Sequence, residues 1–194
     1  MKKLFLLLFA LTLFGYSYAL DMGAVTVIAP SSPMCPDAST TVTVRIKNFS
    51  GVPINYATNN VTVNVAIAGD PGSPYTVTLL AGSLGAGITQ NVLMTTFADL
   101  SVVGTHTFVI TVTVAGDTDA TNDVVSEDIV VEEPIIADRT ATSCSGVLFT
   151  DTPVDGVGGD VVPAGTTYDW SAPVVTGAMT GGAAGVAASS ITGT

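Results

Sequence analysis

The chain has 194 residues and a formal charge of −11, with 5 Lys and Arg set against 16 Asp and Glu. That balance excludes nucleic acid and anionic lipid as partners, because both need a Lys/Arg footprint. Abundant Val, Thr, Gly and Ala with scarce Lys and Glu exclude a helical fold, and a high, periodic apolar content excludes a disordered one.

In chain order, Met1-Lys2-Lys3 is a short basic segment, Leu4 to Phe14 is apolar, and Gly15-Tyr16-Ser17-Tyr18-Ala19 is a small-residue exit. This is the pattern of a secretory signal peptide over residues 1–19, cleavable after Ala19. Its apolar run is shorter than the ~20 residues of a membrane span. The mature chain keeps Arg45, Lys47 and Arg139 as 3 basic residues against 16 acidic ones, a net of −13. No membrane insertion of that chain is expected.

Alternation then predicts an all-β protein. The expected strands are Ala24–Ile28, Thr40–Asn48, Val61–Ala68, Tyr75–Leu80, Gln90–Phe97, Thr105–Ala115 and Val124–Val131. In Thr40–Asn48, Val42, Val44 and Ile46 share one face, while Thr43, Arg45 and Lys47 share the other. Period two with one apolar face is a half-buried strand. Val44, Ile46, Val63, Val65, Phe108, Ile110 and Val112 are the expected core, and seven strands over residues 20–133 predict an Ig-like antiparallel β-sandwich.

Glu132-Glu133-Pro134 reads as a stiff linker. Residues 134–194 are expected to form a second, incomplete β-sandwich with strands near Gly146–Thr150 and Thr166–Trp170, and with Ile191-Thr192-Gly193-Thr194 as a strand in mid-run. About sixty residues bury a marginal core at best, so an open sheet edge and self-association are expected. Cys35 and Cys144 form an even count that permits a disulfide. They lie in different expected modules, however, and bonding needs Cα atoms within about 7 Å.

Two stretches carry a resemblance. Asp21-Met22-Gly23-Ala24-Val25, Cys35, Val42 through Phe49, Pro53-Ile54, Asp99-Leu100-Ser101 with Gly104-Thr105, Gly116-Asp117 and Asn122-Asp123 resemble CARDB-like adhesion modules of exported proteins in gliding-type bacteria. Those modules are Ig-like and non-catalytic. His106 stands where their pattern has an aromatic. Cys144-Ser145-Gly146 with Phe149, then Val162 to Thr167, Tyr168, Trp170 and Ser171-Ala172-Pro173, resemble the PKD-like repeats of large surface adhesins secreted by the type IX route. The resemblance implies that residues 134–194 are a partial repeat and the chain an N-terminal piece of a longer adhesin. It also implies a partner for Cys144 beyond residue 194, leaving Cys144 a free thiol here.

Few residues carry chemistry. Asp117, Asp119, Asn122 and Asp123 crowd one loop with oxygen ligands at short spacing, which makes it a candidate calcium site. The EF-hand spacing is missing, and Asn-Asp pairs also make turns. No other cofactor is expected. His106 is the only histidine and has no nucleophile elbow to serve, so it reads as structural. Tyr168 and Trp170 share a strand face, as core rather than as a sugar platform. Asn48-Phe49-Ser50 and Asn60-Val61-Thr62 match the glycosylation sequon formally.

The expectation is therefore a non-enzymatic, exported structural or adhesive protein of the bacterial cell surface, with an extracellular glycan or protein ligand. Two alternatives stand beside it. One is a carbohydrate-binding accessory module of a secreted hydrolase. The other is a filament subunit completed by a neighbour's strand.

Overall fold

The structure, a computed structural model, describes residues 19–138, 146–172, 174 and 183–193. The expected leader, apart from Ala19, lies outside those residues, as do Arg139 and Cys144.

The described residues are all β. Seven strands form two antiparallel sheets: β1 (Met22–Ala29), β3 (Thr43–Asn48) and β8 (Thr89–Leu93) in order β1-β3-β8, facing β5 (Val61–Ile67), β6 (Tyr75–Leu79), β10 (Gly104–Val114) and β11 (Val124–Val131) in order β11-β10-β5-β6. These are the seven strands read from alternation, and the fold is the expected Ig-like sandwich.

The reason lies in the pattern. Val42, Val44 and Ile46 from one sheet meet Val61, Val63, Val65, Phe108, Ile110 and Val112 from the other, all fully buried. Each inward residue contributes about 1.5–3 kcal/mol by leaving water. Inner faces that interdigitate this way close a sandwich.

The edges of the strands differ from expectation. The segment expected as one strand, Thr40–Asn48, is split: β2 (Asp37–Thr40) pairs with β9 (Ala98–Leu100), and the chain re-enters as β3. Met94 N–H donates to Val42 O between them, so the pairing crosses the gap. The expected Gln90–Phe97 stops at Leu93, and Phe97 is exposed. Asp99-Leu100, outside the expected strands, belongs to β9. A further short pair, β4 (Ile54–Asn55) with β7 (Ser83–Leu84), closes one end.

Beyond residue 134 the described pairings are two small ribbons. β12 (Phe149–Asp151) pairs with β15 (Ile191–Gly193), and β13 (Tyr168–Trp170) pairs with β14 (Gly185–Ala188). Both expected strands begin later than Gly146 and Thr166. Thr166 closes a turn on Pro163, its N–H and hydroxyl both donating to the Pro163 carbonyl. Ile135 and Val161 exchange backbone bonds of 2.8 Å. Met34 bridges Val131 on one side and Ala164 on the other, so the segment before β2 touches both parts of the chain.

Candidate functional site

The acidic loop between β10 and β11 is built around the start of β1. Leu20 and Asp117 form a parallel bridge, and the Leu20 carbonyl accepts from Thr118 N–H at 2.9 Å and from Thr118 Oγ1 at 3.0 Å. Met22 N–H donates to Asp117 Oδ2 at 2.9 Å, and Asp119 N–H donates to Asp117 Oδ1 at 2.9 Å. Both oxygens of Asp117 are therefore engaged by backbone. Asp119 Oδ1 accepts from Thr121 N–H and Oγ1, which hold its carboxyl below the ordinary range.

Ala24 N–H donates to Asn122 O, and Asn122 Nδ2 donates to Asp21 Oδ1 at 2.8 Å. A side chain on Gly23 would overlap both the Asn122 side chain and its carbonyl, so this close approach requires glycine.

Two oxygens in the loop are buried without a hydrogen-bond partner, Asn122 Oδ1 and Asp123 Oδ1. Burial raises the Asp123 pKa above the ordinary carboxylate range, and repulsion from Asp117, Asp21 and Asp119 adds to it. The four sequence-predicted residues share one loop, and Asp117, Asp21 and Asp119 lie near enough to Asp123 to repel its charge. Among the described residues no three Asp, Glu, His or Cys side chains are grouped to hold a metal ion. Asp21 belongs to the cluster and was missed, because its link to Asn122 is a long-range pairing that local spacing does not display.

His106 opens β10 on its inward face and is buried. Its Nδ1 lies 3.0 Å from Ala68 O and its Nε2 lies 2.8 Å from Val102 O. The ring ties two turns to the sandwich, in the place where the resembled pattern has an aromatic. A buried tyrosine is supplied elsewhere, by Tyr56, whose hydroxyl donates to Gln90 Oε1 at 2.7 Å.

The two sequons diverge. Asn48 is fully buried, with Nδ2 donating to Val52 O at 2.8 Å, Leu84 O at 2.9 Å and Gly85 O at 3.1 Å. Its Oδ1 accepts from Ser50 N–H at 3.0 Å and from Ser50 Oγ. This amide is a structural hub and is closed to modification in the folded chain. Asn60 is exposed.

Trp170 lies over Gly185, where any Cβ would overlap the indole, and its Nε1 donates to Ala183 O at 3.0 Å. A bulge interrupts β13 between Tyr168 and Trp170, and Tyr168 is the buried member. Cys35 is a free thiol with Sγ 3.4 Å from Thr166 Oγ1.

The outer face of the β1-β3-β8 sheet carries both described cations. Arg45 Nε donates to Asn91 Oδ1 at 3.0 Å, and Lys47 Nζ sits 4.5 Å from the centre of the Phe49 ring. Phe49 and Leu93 are exposed, and the three strands of this sheet contain no Asp or Glu.

No family model matches the chain, and no curated protein matches it. Among solved structures, it is similar to the CARDB domain of a Pyrococcus furiosus protein, crystallised in complex with di-metal ions. The match has 21% identity, a TM-score of 0.43, and covers 59% of this chain and 94% of that one. The solution structure of the same archaeal domain gives 20% identity and a TM-score of 0.42 over 59% of this chain and 96% of that one.

Proposed function

We propose that this chain is an exported, non-catalytic structural and adhesive module of the cell surface, the N-terminal piece of a longer adhesin in which residues 134–194 begin a PKD-like repeat. One sequence feature carries the export half of the reading: the basic Met1-Lys2-Lys3, the apolar Leu4 to Phe14 and the small-residue exit ending at Ala19 have the order of a cleavable secretory segment.

The adhesive half is supported by the face around Arg45, Lys47, Phe49, Asn91 and Leu93. It presents an exposed aromatic and an Arg beside exposed apolar carbon on one sheet face, and aromatics and Arg are enriched in binding surfaces. The ligand is an extracellular glycan or protein.

Two measurements test the reading. N-terminal sequencing of protein recovered from outside the producing cell should begin at Leu20; an intact Met1 in cell-retained material would overturn export. The purified chain, passed over glycan arrays and extracellular-matrix proteins, should bind in a manner lost in an Arg45→Ala, Lys47→Ala, Phe49→Ala triple variant that still melts cooperatively. Binding unchanged in that variant would remove this face from the proposal.

A further inference from the structure

We propose that the free edge of β8 takes an extended acidic polypeptide as an added strand, with Arg45 holding a carboxylate of that strand beside Asn91. The proposal rests on the adhesive reading of this face and deepens it: the ligand is protein, and the mode is strand addition.

The backbone fixes which groups are on offer. Met94 N–H donates to Val42 O just past one end of β8, and Asn48 N–H donates to Ile88 O just before the other. Antiparallel pairing alternates, so Gln90 and Val92 also turn their N–H and C=O to β3. Thr89, Asn91 and Leu93 therefore turn theirs away, and among the described residues β8 pairs with β3 alone. All three are exposed.

The other edges of the sandwich are treated differently. Along β1, the N–H groups of Met22, Ala24 and Val27 donate to Asp117 Oδ2, Asn122 O and Glu127 Oε2. Along β11, Val130 N–H donates to Ser32 Oγ and its carbonyl accepts from Met34 N–H. β6 is a second edge, but neither it nor its neighbour β5 contains Lys or Arg. Edge strands are ordinarily guarded by a charge, a Pro, a bulge or a covering segment. Residues 88–97 contain no charged residue and no Pro, and the β3–β8 register runs from Thr43↔Leu93 to Lys47↔Thr89 without a shift.

Charge complementarity says what kind of strand fits. The chain carries 16 acidic residues, yet its two described cations both stand on β3 beside this edge, in a sheet whose strands hold no Asp or Glu. Arg45 lies opposite Asn91, and its Nε donates to Asn91 Oδ1 at 3.0 Å. That bond draws the guanidinium across β8 towards the free edge and leaves its forked end for an acidic group. A strand laid along β8 places one side chain about 5 Å from Asn91 on the same face. A carboxylate there meets the guanidinium in a charge-assisted hydrogen bond, whereas a lysine there meets repulsion. Lys47 adds positive field one outward position along, opposite Thr89. Leu93 offers exposed carbon at the third outward position, and Ile88 and Phe97 are exposed beyond the two ends. The fitting segment is extended, acidic opposite Asn91 and apolar opposite Leu93. A glycan can reach the cation but cannot continue the ladder.

The probe is a short synthetic peptide of alternating Val and Glu. Its controls are the same peptide with Lys in place of Glu, and the acidic peptide methylated on its Glu amide nitrogens, the set that an antiparallel strand turns to β8. Added to the full chain, the acidic peptide should slow hydrogen exchange at the Thr89, Asn91 and Leu93 amides, which exchange fast without it. Neither control should do so. Arg45→Ala should weaken binding by about tenfold or more, the scale of one charge-assisted hydrogen bond. Thr89→Pro, which removes an outward N–H at the first residue of an edge strand, should weaken it as well. The methylated peptide leaves the protein untouched, so its result stands whether or not the variants fold.

Equal binding of the acidic and lysine peptides, or exchange at the three amides unchanged by the acidic peptide, would overturn the proposal. So would concentration-dependent protection of those amides in the chain alone, which would make the occupant a second copy. Glycan binding lost in the Arg45→Ala, Lys47→Ala, Phe49→Ala variant, with no binding of the acidic peptide, would refute this proposal and leave the adhesive reading standing. Protection of β8 by the peptide, with no glycan or matrix protein bound through this face, would refute the adhesive reading alone.

Discussion

Replacing Asn48 with aspartate changes one NH2 group for one oxygen and almost no volume, so its effect isolates hydrogen bonding at the buried hub. The Asn48 Nδ2 serves Val52, Leu84 and Gly85 carbonyls with two hydrogens. The Asn48→Asp variant would offer these carbonyls a carboxylate and orphan at least two of them. At about 1–3 kcal/mol for each buried acceptor left without a donor, the loss is about 2–6 kcal/mol, before any cost of burying the charge. Domains of this size hold about 5–15 kcal/mol in total. With a urea slope of about 1–3 kcal/mol/M, the midpoint should fall by roughly 1–3 M. Burial and the facing carbonyls both disfavour the ionised form, so the introduced carboxyl should titrate above its unfolded value. The penalty is therefore full at neutral pH and shrinks as pH falls and the acid regains an O–H donor. Urea titrations of both proteins at neutral and acidic pH read this directly. A loss below about 1 kcal/mol, or one that grows on acidification, would show that the hub does not hold the β3–β7 corner.

Three further outcomes are expected. Tyr75 donates to Asp70 Oδ2 and, through burial first and the Asp70 bond second, has its pKa pushed up to about 12; the wild type should lose stability between about pH 10 and 12, because the unfolded phenol ionises before the folded one, and Tyr75→Phe should abolish that loss while costing about 1.5–3 kcal/mol at neutral pH, as read by denaturant melts against pH. Asp123→Asn should stabilise the chain at neutral pH, since a raised folded pKa means that the ionised form is the unfavourable one; the gain should vanish below the ordinary Asp range, and calorimetry that finds neutral-pH destabilisation would contradict the burial argument. Val44→Asp should unfold the sandwich outright by burying an unpaired charge, whereas a soluble variant with native circular dichroism would refute the placement of Val44 between the sheets.

The two sheets were legible because Val and Ile recur at period two over five or more residues, and a single inward face leaves one register. β2, β4, β7 and β9 were not legible as separate strands, because two to four residues carry too little periodicity to separate a strand from a turn. The same alternation that placed Val42, Val44 and Ile46 inward also places Asn48 inward, but the sequence does not display the three carbonyls that its amide serves. At the acidic loop the sequence displayed the residues that sit together in the chain. It concealed Asp21, and with it the meaning of the loop as a cradle for β1, because that link joins positions about a hundred residues apart. Gly23 was quoted only as part of a motif, and its necessity becomes visible once Asn122 lies across it.

The link between the two parts of the chain also changes the mechanical reading of an adhesive role. Glu132-Glu133-Pro134 alone would be a single covalent joint. Met34 makes it a composite one: Met34 N–H donates to Val130 O at 3.0 Å, Glu132 N–H donates back to Met34 O at 2.9 Å, and Ser32 Oγ accepts from Val130 N–H at 2.9 Å. These bonds cover the open edge of β11, which would otherwise offer itself to another chain. Met34 also bridges Ala164, and Cys35 touches Thr166, so the segment that guards this edge is the one that contacts the following part. One segment, residues 32–35, therefore both covers the edge of β11 and meets the residues that follow Pro134, which is why substitutions at Met34 are expected to disturb both at once.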